Sequence, residues 1–427
     1  MVLHCGNVPP SRESYDCVVL GAGPAGCTVA TLLAQSGHAV LLLERERFPR
    51  HRIGESLMPQ TYGTLKRLGL LEALKASDFP VKESVQFVGP SGRDSEPYFF
   101  TDRDPGEWSK TWQVRRDCFD QMMVNNARRH GAEVSEGFSA KEVLFDGDRA
   151  TGVTINAFGR NRAIGARVVV DATGQTGLIG RQLKLFQHDE RLRNAAIYTY
   201  YRNAYRDDGR NAGATIVIHT MLEGGWFWYI PLNDNVTSVG LVASPDLLFS
   251  GRGNSPEDTF LQEVARCEGL KRRLADAEQV EDVRVLRDFT YSSSRVSGEG
   301  WVLVGDAYSF IDPVYSSGVF LALRSGEMAA DNIHRGLVEG DLSGEVLGAH
   351  GEQLAKGIAL LRQLVYSFYD PDFSVRRFLG AHPEYQDHLV RLLIGDVFND
   401  EVGTIFEAIK RWTDEMPGRA ERSSQSA

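Results

Sequence analysis

Two kinds of hydrophobic pattern alternate along the chain. Short unbroken apolar runs stand at Cys17–Leu20, at Ala39–Leu43, in RVVVDATG (167–174) and in WVLVGDA (301–307). Runs of this length, bounded by turn residues, predict strands buried on both faces of a parallel sheet. Between the first two, Cys27–Gln35 repeats apolar residues at helical spacing, and Gly37 stops it. Alternating apolar and polar positions come later, in AAIYTYYRNAYR (195–206) and SVGLVAS (238–244). They predict strands of an antiparallel sheet. The stretch GGWFWYIPL (224–232) puts Trp226 and Trp228 on one face if it is a strand. After about residue 340 the pattern is helical, in LAKGIALLRQLVYSFYD and HLVRLLIGDVFNDEVGTIFEAIKRW. The order predicts an α/β (α+β) fold. A parallel-sheet lobe is built from 15–75, 110–182 and 285–335, and an antiparallel-sheet lobe is inserted as 76–109 and 183–284. A helical region follows at 340–416, and 1–14 and 417–427 read as flexible tails.

A chain of 427 residues is long enough for two or three lobes and for an internal cavity. Its net charge of -10 and the lack of a basic block argue against a nucleic-acid partner. No apolar run approaches the roughly 18 residues of a membrane span, and the N-terminus lacks the apolar segment of a signal peptide. A cytoplasmic protein with no membrane partner is expected. Cys5, Cys17, Cys27, Cys118 and Cys267 are odd in number and show no metal-like pairing. Reduced thiols and no metal site fit best.

The first apolar strand runs into Gly21, Gly23 and Gly26 in G-x-G-x-x-G spacing, then the helix, then the second strand ending at Glu44. Each part has a physical role in holding a dinucleotide. Gly21 permits a tight turn, Gly23 lets backbone approach a pyrophosphate, and Gly26 allows close helix–strand packing. The helix start offers free N–H groups and a positive dipole end. Glu44, about 20 residues on, stands where a ribose hydroxyl acceptor belongs. The lobe is therefore Rossmann-like.

Three further segments carry a family resemblance. FPRHRIGESLMP (48–59) holds Gly-Glu-Ser; GGWFWYIPL holds W-x-W-x-I-P as Trp226, Trp228, Ile230 and Pro231; FIDPVYSSG holds F-x-x-P-x-x-S-x-G as Phe310, Pro313, Ser316 and Gly318. In this order the chain resembles the flavin-dependent halogenases, within the larger FAD family of aromatic hydroxylases. The resemblance covers about 15–335. It implies FAD, used as FADH2, together with chloride or bromide. It places Asp306 of WVLVGDA near the ribityl and pyrophosphate groups, Ser56 near the flavin ring, and Arg116 of WQVRRDCFD on the pyrophosphate, with Arg115 the weaker candidate. Arg45, beside Glu44, is carried as an adenosine-side candidate. In the branch acting on phenols, pyrroles and carrier-bound acyl groups, a lysine follows Phe-Pro-x, which points to Lys82 of DFPVKESVQFVG. Lys75 reads as a surface residue.

The implied chemistry generates hypohalous acid at the flavin and delivers it to an electron-rich aromatic ring. A halide needs N–H donors, and Ser317 and Gly318 at the start of a helix supply them. A buried lysine can donate a hydrogen bond to hypohalous acid or carry the halogen itself. Trp226 and Trp228 then separate flavin from substrate, or are plain core. The expected function is a halogenase of natural-product biosynthesis, acting on a small aromatic, free or tethered to an acyl or peptidyl carrier protein. One dinucleotide fingerprint and no second one is compatible with a separate flavin reductase supplying FADH2. The alternatives are an FAD-dependent aromatic monooxygenase or reductase, and a non-catalytic FAD-binding protein.

Overall fold

The apolar run at the N-terminus becomes the strand Ser14–Leu20, buried from Cys17 to Leu20. It lies between two parallel neighbours, Val40–Glu44 and Arg160–Asp171. Trp301–Leu303 extends the sheet in parallel beyond Arg160–Asp171, and Glu133–Glu136 beyond Val40–Glu44. An antiparallel meander, Ala140–Asp146 with Arg149–Ala157, joins the far end of Arg160–Asp171. The computed structural model describes residues 8–103, 105–222, 224–250, 255–287 and 290–415. Cys5 and the tail at 417–427 lie outside them. Within the leader, Ser11 donates to the Glu133 carboxylate through its N–H and hydroxyl.

Both faces of this sheet are covered, which is why its strands read as unbroken apolar runs. On one face the helices Pro24–Gln35, Arg116–Arg129 and Gly318–Glu339 enclose Val19, Leu42, Val170 and Val302. The first and last of these cross closely at Gly326, where an added Cβ would stand 2.7 Å from the Ala25 carbonyl. On the other face the meander covers Val18, Leu41 and Leu303.

The second large sheet runs Ala195–Arg202, Val236–Ala243, Trp226–Pro231, Thr215–His219, Ser84–Val88. It is antiparallel apart from Thr215–His219 with Ser84–Val88, which is parallel. Alternation sorts its side chains. Phe227, Tyr229, Val239 and Leu241 pack outward against the helix Pro256–Arg266. Trp226, Trp228, Ile230 and Val217 pack inward, against the C-terminal helices Gly351–Tyr369, Val375–Ala381, Gln386–Ile394 and Thr404–Asp414. Among the described residues no helix is long and apolar enough to cross a membrane.

Candidate active site

The glycines of the first turn divide by what surrounds them. Gly21 has φ +96°, and a Cβ there would meet the Ala172 carbonyl oxygen at 2.4 Å. A Cβ on Gly26 would lie 1.9 Å from the Gly21 carbonyl oxygen. Gly23 is different: the nearest protein atom is Arg50 Nη2 at 3.9 Å. So Gly21 and Gly26 close the protein on itself, while Gly23 leaves an open face. Gly21 and Gly23 border the main cavity and Gly26 does not. Pro24 takes the first position of the helix, where its missing N–H costs nothing.

Glu44 ends the second strand 4% exposed. Its carboxylate accepts from Ala22 N–H at 3.1 Å, Glu46 N–H at 3.0 Å and Arg50 Nη2 at 3.3 Å. Arg50 also donates to Asp120 Oδ2 at 2.7 Å, and Asp120 accepts from Arg116 Nε at 2.8 Å. Glu44, Arg50, Asp120 and Arg116 thus form a buried row of alternating charge, and removing one member would strand another. Arg116 further donates to the Ile53 carbonyl. Arg45 borders the cavity with its side chain half exposed and reaches Thr176 Oγ1 at 3.4 Å. Arg115 does not border the cavity and pairs with Asp117 instead.

The cavity, about 450 Å³, runs from the glycine turn past Arg116 and Asp306 to Ser316, Gly318 and the two tryptophans. Asp306 follows the strand Trp301–Leu303 and turns its carboxyl into this space. Among the described residues no hydrogen bond reaches that carboxyl. Burial pushes it up to about 7, against the pull of the Arg116 guanidinium. An acceptor left open in this way suits a hydroxylated chain such as a ribityl group. Further on, Asp312 caps the single helical turn Pro313–Tyr315. Ser316 follows with φ +58°, and the helix Gly318–Glu339 begins. A Cβ on Gly318 would meet nothing closer than Phe310 at 4.0 Å. Ser316 and Gly318 border the cavity; Ser317, 3% exposed, sits behind them.

Lys82 lies behind the cavity wall, on the short strand Val81–Lys82 paired with Thr111–Trp112. It is 3% exposed. Its Nζ donates to Ser56 Oγ at 2.9 Å and the Leu57 carbonyl at 3.0 Å, and stands 5.7 Å from the centre of the Phe100 ring. Burial alone pulls this amine down to about 7. Ser56, which borders the cavity, also bonds Thr215 Oγ1 at 2.7 Å, and Gln113 Nε2 donates to the same hydroxyl at 2.9 Å. Lys75 pairs with Glu72 and Glu107 at the surface. Glu83 faces away from Lys82, toward Lys110 and Arg210.

The strand Trp226–Pro231 turns both indoles to the cavity. Trp226 is 1% and Trp228 6% exposed, with ring centres 6.3 Å apart. Trp228 lies across Gly240 of the next strand, where a Cβ would come within 2.2 Å of its ring. Trp228 Nε1 donates to Ser238 Oγ at 3.1 Å, and Trp226 Nε1 donates to Tyr369 Oη at 2.7 Å.

A family model described as tryptophan halogenase matches residues 16–102 and 101–376. The chain belongs to that family. It is 30% identical over 409 residues to a 1H-pyrrole-2-carbonyl-[peptidyl-carrier protein] chlorinase of Pseudomonas fluorescens, covering 91% of each chain. It is also 30% identical to a 1H-pyrrole-2-carbonyl-[peptidyl-carrier protein] brominase of Pseudoalteromonas luteoviolacea, over 91% of this chain and 94% of the relative. Among solved structures, the flavin-dependent brominase Bmp2 superposes with a TM-score of 0.85 at 29% identity, covering 94% of this chain and all of the other. The myxobacterial chondrochloren halogenase CndH, an FAD-dependent halogenase, superposes with 0.78 at 33% identity, over 91% and 92%. The protein is therefore an enzyme, a flavin-dependent halogenase, and its family works with FAD and a halide. The residues present fit the cofactor: Gly23's clear face, the helix start at Pro24 and Ala25, and the Asp306 carboxyl, which has no hydrogen bond among the described residues, all border one cavity.

Sequence reasoning missed several parts of the halogenase site. Glu55 lies inside the quoted Gly-Glu-Ser, yet its burial was not legible. Its Oε1 accepts from Tyr200 Oη at 2.9 Å, and among the described residues its buried Oε2 has only the nearby Ser238 hydroxyl beside it, outside hydrogen-bond geometry. Burial pushes it up to about 7 despite the Ser238 and Tyr200 hydroxyls. Arg50, Asp120, Asp312 and Tyr369 meet their partners only through the fold. Arg50, Asp120 and Asp312 lie inside segments quoted above for the resemblance, but no local pattern singles them out there. Among the described residues no group of three or more His, Cys, Asp or Glu side chains is placed to hold a metal ion.

Proposed function

We propose that this halogenase uses FADH2, dioxygen and chloride or bromide to halogenate an electron-rich aromatic ring, a pyrrole or a phenol, in natural-product biosynthesis. Dioxygen is the oxidant that turns halide into hypohalous acid, with water as the other product; FADH2, when bound, would activate it by supplying two electrons. Gly23, Arg116 and Asp306 hold the cofactor, with Glu44 and Arg45 toward its adenosine end and Ser56 toward its ring. The N–H groups of Ser317 and Gly318 hold the halide at a helix start. Lys82 Nζ holds a proton for hypohalous acid in a dry position. The tryptophan pair keeps the aromatic substrate away from the flavin edge.

One observation carries this reading. Among the described residues Lys82 is buried with no opposing charge, and its only hydrogen bonds there are to neutral oxygens, one of them on a serine that borders the cavity. A lysine kept for stability would be solvated or paired; one that must act on a neutral electrophile is placed dry. A separate flavin reductase supplies FADH2, in keeping with one dinucleotide fingerprint in the chain. The two pyrrole-acting relatives favour a carrier-tethered acyl substrate over a free ring, because the chain matches nearly their full length.

The test supplies FADH2, dioxygen and bromide with a free phenol, a free pyrrole or a pyrrole-2-carbonyl thioester on a carrier protein. Bromination is expected, fastest on the tethered pyrrole. Lys82→Ala should lower it by roughly 10²–10⁴-fold while FAD still binds. Near-normal bromination in that variant overturns the lysine's role. Hydroxylation in place of bromination overturns the separator.

A further inference from the structure

The helix start assigned to halide is held in place from an unexpected direction. Asp312 is fully buried. Its Oδ1 accepts from Val314 N–H at 3.1 Å, capping the turn Pro313–Tyr315 that leads to Ser316, Ser317 and Gly318. Its Oδ2 accepts from Asn194 Nδ2 at 2.8 Å and from Tyr369 Oη at 2.9 Å. Tyr369 is the last residue of the helix Gly351–Tyr369. A tyrosine hydroxyl has one proton to give, and here it goes to Asp312, so the oxygen is free to accept. It accepts from Trp226 Nε1 at 2.7 Å. An unbroken relay of hydrogen bonds therefore runs from the tryptophan wall, through a helix outside the cofactor lobe, to the cap of the turn.

The turn needs this support. Ser316 sits in the left-handed region at φ +58°, a conformation that favours glycine and persists only where surrounding contacts hold it. The N–H groups beyond it point where Ser316 sends them. We propose that Asp312 and Tyr369 are positioning residues that fix the halide-holding helix start and tie it to Trp226. This rests on the halide reading of Ser317 and Gly318. On it, the C-terminal helical region completes the halide site without touching the halide, and the wall and the halide donors move as one unit.

Halide binding to the FAD-loaded enzyme tests this directly, read by chloride NMR line broadening during titration, with FAD affinity and melting temperature measured alongside. Tyr369→Phe keeps the ring and removes the relay. It should weaken chloride roughly threefold to tenfold, the range for one or two lost hydrogen bonds, with FAD affinity within about twofold by the same reasoning. Trp226→Phe should weaken chloride less, and the double variant should be no worse than Tyr369→Phe alone, because both break one chain. Unchanged chloride affinity in a folded, FAD-binding Tyr369→Phe enzyme overturns the proposal. Gly318→Pro separates the two levels, since proline is tolerated at a first helical position and deletes one assigned N–H. Chloride binding lost there but kept in Tyr369→Phe overturns the relay alone. Chloride binding kept in both overturns the halide assignment and the relay together.

Discussion

Replacing Lys82 by methionine should make the protein more stable at acid pH while removing its activity. The amine is held at about 7 where 10.5 is ordinary. That difference corresponds to on the order of 5 kcal/mol of burial penalty on the charged form. The sign follows from proton binding. Between about 7 and 10.5 the unfolded chain keeps the proton and the folded one does not, so stability rises with pH across that window. Below about 7 the folded protein carries the full penalty. Methionine fills similar space and carries no charge, but gives up the two hydrogen bonds to Ser56 Oγ and the Leu57 carbonyl, each worth about 1 kcal/mol. The net gain at pH 6 is then about 3 kcal/mol. Melting entropy for 427 residues is about 0.9 kcal/mol per degree, so the melting temperature rises by roughly 3 °C. By pH 9 about 3 kcal/mol of the penalty has gone and the two proteins should melt together. Scanning calorimetry of the FAD-free enzymes at both pH values is the assay. A methionine variant that melts lower at pH 6, or by the same margin at both pH values, would show that Lys82 is hydrated in the folded state and refute the reasoning.

The glycines of the first turn should separate in the laboratory as they do in space. Gly26→Ala forces a Cβ to 1.9 Å from the Gly21 carbonyl oxygen and should fail to yield folded protein. Gly23→Ala meets nothing nearer than 3.9 Å and should melt normally without FAD but bind FAD weakly by titration. Trp228→Ala should cost roughly 3–5 kcal/mol of stability and let hydroxylated phenol appear beside brominated phenol; normal bromination with no hydroxylation would leave the pair as ordinary core.

The parallel-sheet lobe was legible because its strands are buried on both faces and so read as unbroken apolar runs, and because its glycines sit at a spacing with a steric cause. The alternating strands around Trp226 were legible for the opposite reason: their faces meet different neighbours. Arg45 was carried from its place beside Glu44, and Arg50 was not singled out; the chain after Glu44 leaves the Arg45 side chain half exposed at the cavity and buries that of Arg50. Tyr366, Phe368 and Tyr369 read alike as aromatics on an apolar helix. What sets Tyr369 apart is a hydroxyl meeting Asp312, 57 positions away in the chain, and no local pattern reports that. Lys82 came from motif order. Its dryness depends on Phe100 and on the adjacent Ser56 and Leu57, which the fold brings to it from two other segments.

Gly240 has a consequence for how such an enzyme changes its substrate range. It does not border the cavity, yet Trp228 rests in the space its missing side chain leaves. Even an alanine there would clash with the indole and force it off the sheet. The position of an indole on the cavity wall is thus set by a residue on a neighbouring strand, and it can drift through mutation without altering any residue that borders the cavity.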